Sequence, residues 1–140
     1  MNQEDELTKY MYLIEQYKEQ INTLESQAQY LQAAIIDYNK AKITLEQLDK
    51  SDKDKEILFP IGGGSFVEGK TTNKSKILID IGAGLVTEKK TDEAVKKIEK
   101  RIEELNNSQQ KITDMMQQLQ DEATQITNKV QKIYEENQKK

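Results

Sequence analysis

Ile57-Leu58-Phe59-Pro60-Ile61-Gly62-Gly63-Gly64-Ser65-Phe66-Val67-Glu68-Gly69-Lys70 is followed by a second version of itself, Ile77-Leu78-Ile79-Asp80-Ile81-Gly82-Ala83-Gly84-Leu85-Val86-Thr87-Glu88-Lys89-Lys90. Seven of the fourteen aligned positions are identical: Ile57/Ile77, Leu58/Leu78, Ile61/Ile81, Gly62/Gly82, Gly64/Gly84, Glu68/Glu88 and Lys70/Lys90. Each copy is a short apolar run, a glycine-rich turn and a second short run. Glycine suits such a turn because it reaches positive φ without a steric penalty. The pattern predicts two β-hairpins in tandem, over 56–70 and 76–90, joined by the polar stretch Thr71 to Lys76. Two copies of one hairpin are a duplicated unit and not a solenoid, which needs at least three.

On either side of this stretch the period changes from two to three and a half. Before it, Leu7, Ile14, Ile21, Ala28 and Ile35 hold one seam position, and Tyr10, Tyr17, Leu24, Leu31, Tyr38 and Leu45 the other. Alternating steps of three and four over several heptads predict a helix that pairs with another helix. Lys42 interrupts the stripe, which is expected to shift to Ala41 and Leu48 as the supercoil relaxes. After the hairpins, Val95, Ile102, Gln109, Met116, Ala123 and Val130 form one seam, and Ile98, Leu105, Ile112, Leu119, Ile126 and Ile133 the other. Asn2 or Asp5 is a suitable cap for the first helix and Thr91 for the second, with acidic residues in both first turns. The lysine pair Lys139–Lys140 suits the far helix end. The expectation is one domain over 1–140, with helices over about 4–49 and 92–138 folded into an antiparallel hairpin. Leu7 then lies near Ile133, Asp49 near Asp92, and Gln109 opposite Leu31 to Ile35, where a lone polar residue sets register.

Composition narrows the function. Charged residues make up 33% of the 140-residue chain and hydrophobic ones 35%, with no cysteine, histidine or tryptophan. That removes disulfides, zinc–thiolate sites and imidazole chemistry. No apolar run is long enough for a membrane span, and the acidic first residues do not read as a signal peptide. A net charge of −4 argues against nucleic acid as a partner. A soluble, intracellular protein is the expectation.

Ile57, Phe59, Ile61, Ile77, Ile79 and Ile81 share one parity and are expected on one sheet face. The helices are committed to each other, so this face lacks an internal cover. Burying six such side chains is worth roughly 1.5–3 kcal/mol each, on the order of ten kcal/mol that a monomer leaves unrealised. Together with Phe66, Val67, Leu85 and Val86 they are candidate assembly residues, with strand edges open to pairing between subunits. A second apolar group lies at the free helix ends: Leu7, Tyr10, Met11, Leu13 and Ile14, with Ile126, Val130, Ile133 and Tyr134. Met11, Leu13 and Tyr134 stand off the seam, so part of this group should face water. Flexible methionine and amphipathic tyrosine suit a surface that accepts many shapes.

Two motifs are refused. Gly64-Ser65-Phe66-Val67-Glu68-Gly69-Lys70-Thr71 fits the letters of a phosphate-binding P-loop. That chemistry needs a loop of backbone amides followed by a helix N-terminus. Here Phe66 and Val67 read as strand, and the next strand begins too soon for a helix. Asp52-Lys53-Asp54-Lys55-Glu56 faintly suggests a calcium loop, but the required glycine and closing glutamate are absent. Neither a catalytic residue nor a cofactor or metal site is expected.

Helix, two hairpins and helix, with the quoted segments Phe59 to Val67 and Ile77 to Gly84, resemble the α-type subunits of prefoldin, and archaeal ones in particular, over essentially the whole chain. The paired hairpins carry the resemblance, since β-type prefoldin subunits have only one. It implies a hetero-oligomer of two α and four β subunits, whose hairpins build a double β-barrel with six hanging coiled coils. It further implies that the distal tips hold non-native client proteins and pass them, without ATP, to a group II chaperonin in the cytoplasm. A structural scaffold or filament assembled on the same β platform is the alternative.

Overall fold

A computed structural model describes residues 2–50, 56–71 and 76–139. The connector weighed for calcium (51–55), most of the inter-hairpin stretch (72–75) and Lys140 lie outside the described residues. The elements run α1 (Gln3–Lys50), β1 (Glu56–Gly62), β2 (Ser65–Lys70), β3 (Ile77–Gly82), β4 (Leu85–Lys89) and α2 (Thr91–Gln138). Two long helices with two antiparallel hairpins between them is the expected fold class. By proximity the chain forms two compact units, Met1–Ala34 with Leu105–Lys140, and Ile35–Glu104.

In the first unit α1 and α2 run antiparallel. Lys129 Nζ sits 5.9 Å from the Tyr10 ring centre, and Glu122 hydrogen-bonds to Tyr17. Seven residues forward on α1 thus correspond to seven back on α2, which is what matched heptads require. Leu24, Leu105 and Ile133 are buried, and the remaining seam residues from Leu7 to Leu31 and from Gln109 to Val130 are half-buried. Gln109 Nε2 donates to Gln32 Oε1 at 3.0 Å and to the Ala28 carbonyl at 3.4 Å. The polar layer therefore satisfies itself, and it centres on Ala28 to Gln32, slightly nearer the N-terminus than the heptads suggested. Asn2 caps α1 as expected: its Oδ1 accepts from the Asp5 N–H at 2.8 Å and its carbonyl from the Glu6 N–H at 3.2 Å.

In the second unit Ile35, Ala94 and Ile98 are buried between the same two helices. The expected shift of the stripe to Ala41 is corrected here. Ala41 is exposed while Lys42 keeps the heptad position and is half-buried. Its aliphatic stem lies along the seam and its Nζ reaches Glu99 Oε1 at 3.1 Å, so the charge leaves the seam without breaking it. Asp49 and Asp92 line one cavity, as the antiparallel register demands.

Among the described residues β1 pairs only with β2 and β3 only with β4, as two separate two-stranded sheets. Gly63–Gly64 and Ala83–Gly84 form the turns, with φ of 59° and 71°, and 53° and 73°. Two consecutive left-handed residues are the signature of the type I′ hairpin turn. Ala83 holds this conformation without being glycine. In both copies the register shifts just before the turn, between Pro60 and Gly62 and between Asp80 and Gly82. Ile61 and Ile81 are the extra residues, so the two-residue period is broken at each. Ile81 nonetheless lines one cavity with Ile79, so the second copy keeps the shared face that alternation required. In the second copy Asp80 Oδ1 accepts from the Gly82 N–H at 2.8 Å, bracing that bulge.

Candidate functional site

Two apolar surfaces stand out, one in each unit. On the hairpins, cross-strand pairing fixes which side chains share a face. Ile57, Phe59, Val67 and Gly69 form one face of the first hairpin, and Leu58, Pro60, Phe66 and Glu68 the other. The corresponding faces of the second are Ile77, Ile79, Thr87 and Lys89, and Leu78, Asp80, Val86 and Glu88. Leu58, Phe59, Ile61, Phe66, Val67, Leu78, Ile81, Leu85 and Val86 are all exposed, and only Ile57, Ile77 and Ile79 among the candidate assembly residues are half-buried. None of them has a core to belong to. Exposed apolar side chains at this density on both faces of a two-stranded sheet make the hairpins a candidate contact surface.

The premise that nothing in the chain covers the sheet needs one correction. Ile79 and Ile81 line a cavity of about 650 Å³ together with Tyr38, Ala41 and Ile98, rimmed by Lys97, Lys100 and Arg101. Arg101 donates to Glu104 Oε2 at 3.2 Å and also bonds to Tyr38, so its charge is held and its pKa stays above the ordinary arginine value. The helices thus shade β3 without closing on it.

At the free ends of the helices Ile133 is buried, and Leu7, Tyr10, Leu13, Ile14, Ile126 and Val130 are half-buried. Met11, Tyr12 and Tyr134 are more than half exposed. Leu13, which its off-seam position assigned to the water-facing part, is thus half-covered. Tyr12 was missed by sequence reasoning, because it falls on neither seam position. Its neighbour Met11 and its own aromatic ring at a surface position were the available signals. The Tyr12 hydroxyl accepts from Gln16 Nε2 at 3.0 Å, which holds the ring along the helix. Deeper in the same unit, partial burial and then the hydrogen bond to the Glu122 carboxylate raise the Tyr17 phenol above its ordinary pKa.

The P-loop letters fall on strand geometry. Ser65–Lys70 is β2, with Gly69 opposite Ile57 and Lys70 opposite Glu56, so its amides belong to a ladder, and the next described element is β3. Among the described residues no group of three or more His, Cys, Asp or Glu is arranged to hold a metal ion. No helix among them is long and apolar enough to cross a membrane.

The profile of the family described as "Prefoldin subunit" matches residues 17–136. The chain belongs to the prefoldin family. Prefoldin subunit alpha of Pyrococcus horikoshii is 35% identical over 108 residues, covering 76% of this chain and 72% of the relative. Prefoldin subunit alpha of Archaeoglobus fulgidus is 30% identical over 110 residues, covering 79% and 80%. Among solved structures, a chain of the filamentous prefoldin from Methanocaldococcus jannaschii superposes with a TM-score of 0.74 at 24% identity, over 84% of this chain and 97% of that one. The prefoldin beta subunit from Thermococcus strain KS-1 gives 0.59 at 17% identity, over 90% of each. At these identities the two structures speak for the prefoldin fold.

Proposed function

We propose that the whole chain works as one α-type subunit of a prefoldin chaperone. It joins β-type subunits through its hairpins, two α with four β, in the cytoplasm. It captures non-native proteins at the free helix ends and hands them to a group II chaperonin, with no cofactor and no ATP. The observation that carries this reading is the row of exposed Met11, Tyr12 and Tyr134 beside half-buried Leu7, Tyr10, Leu13, Ile14, Ile126 and Val130. Such a surface offers many weak, adaptable contacts, and several copies acting on one client supply the grip. The exposed apolar hairpins support the assembly step, because two-stranded sheets are marginal alone. Deleting residues 1–11 and 131–140 is expected to abolish protection of an aggregating test protein while the complex keeps its size. Equal protection by truncated and full-length complexes would move client binding away from the tips.

A second reading, a scaffold or filament built on the same hairpins, draws support from the similarity to a filamentous prefoldin. The same aggregation assay separates the two, since a pure scaffold has no need to protect a client.

A further inference from the structure

The two hairpins are copies, yet one cross-strand site changes their surfaces. In the first, Phe59 stands opposite Val67, and its ring lies over the diagonal neighbour Gly69. The fit is so close that a Cβ on Gly69 would come 2.5 Å from Phe59 Cε2 and 2.9 Å from Cδ2. Diagonal neighbours in an antiparallel pair are within reach of an aromatic side chain, and a ring over a strand glycine covers backbone that glycine leaves bare. In the second hairpin the matching site is Ile79 opposite Thr87, with Lys89 as the diagonal neighbour. Ring and seat are both missing there. The face around Phe59 carries no charge, whereas its counterpart carries the Lys89 ammonium. The seated ring remains 41% exposed, so it presents an aromatic surface and does not fill a core of its own.

We infer that Phe59, seated on Gly69, is the residue by which the first hairpin selects its partner. That partner is an uncharged, apolar β-hairpin face of another subunit, which the second hairpin does not accept at this site. The inference rests on the proposed assembly through the hairpins and assigns different partners to the two copies. A ring already laid against the strand loses little freedom on docking, which favours binding. An ammonium in the same place would be stripped of water against an apolar face, which opposes it. Charge, together with the helices that shade Ile79, thus separates the faces of two hairpins that share half their residues.

The test exchanges the site between the copies, in the full chain co-expressed with its partner subunits. Phe59→Ile with Gly69→Lys is expected to weaken the first hairpin's contact about tenfold or more. Native mass spectrometry on dilution then shows sub-complexes at concentrations where the wild type is whole. Ile79→Phe with Lys89→Gly is expected to give heterogeneous assemblies, because both hairpins then compete for one partner. Gly69→Ala adds no charge and suits a strand, but it displaces the ring; it is expected to shift dissociation the same way with an unchanged helical circular dichroism signal. Wild-type dissociation in all three variants would overturn selection by Phe59 and leave assembly through the hairpins standing. A wild-type chain that stays monomeric beside its partner subunits would overturn the assembly reading, and this inference with it.

Discussion

The helices and the hairpins solve the same burial problem in opposite ways. Every buried apolar residue described, from Leu24 and Ile35 to Ala94, Ile98, Leu105 and Ile133, belongs to α1 or α2. No hairpin residue is buried, although Ile57 to Ile61 is the longest apolar run in that half of the chain. A seam three or four residues apart is narrow, and one neighbouring helix is enough to cover it. A two-stranded sheet has two faces and two edges, and this chain offers it only partial shade from one side. The helix pair therefore buries its seam within the chain, while the hairpins leave their apolar side chains largely exposed.

That contrast breaks most easily at the hairpins. Phe66→Asp with Val86→Asp places a carboxylate at matching exposed positions of both copies, so the single chain itself loses little. Assembly is expected to vanish while helicity stays near the wild-type level, because a carboxylate buried in an apolar contact without a partner is costly. A double variant that still gives the wild-type mass in native mass spectrometry would break the contrast.

Leu105→Ala tests the other half. Leu105 is 5% exposed, and truncating such a residue costs about 2–3 kcal/mol. The helical melting midpoint should fall by about 10 °C with the composition of the complex unchanged. A smaller effect is expected at the turns. Ala83 occupies the left-handed region at φ 53°, and relieving it by Ala83→Gly should stabilise the second hairpin by about 1 kcal/mol. Gly63→Ala should weaken the first by a similar amount, and amide hydrogen exchange would report opposite signs in the two copies. The smallest effect concerns Tyr17. Its folded pKa lies above the unfolded value of about 10. Folding therefore gains from the protonated phenol below about pH 10, and that gain disappears as pH rises through the folded value. Tyr17→Phe should flatten the fall in melting midpoint between about pH 9 and 11, relative to the wild type.

Periodicity made most of the fold readable. Leu7 to Leu45 and Val95 to Ile133 named both seams because a helix pair repeats its environment every seven residues. The glycines named the turns because few other residues tolerate their φ. What escaped were interruptions of a period. The bulges at Ile61 and Ile81 add one residue to a strand without altering its apolar character, so alternation gave no warning. Lys42 looked like a break because its charge was counted and its stem was not. Phe59 over Gly69 is a contact between strands, visible only once register is known. At the free helix ends the seam residues were legible, but exposed Tyr12 followed no seam.

The placement of the aromatic residues has a practical consequence. All six tyrosines, Tyr10, Tyr12, Tyr17, Tyr30, Tyr38 and Tyr134, lie on the two helices, both phenylalanines lie on the first hairpin, and tryptophan is absent. Tyrosine emission from this subunit is thus an optical signal of its helices alone. Excited at wavelengths too long for tyrosine to absorb, a tryptophan in any bound protein would emit free of background from this chain, so a partner's change of environment can be followed in real time without attaching a dye.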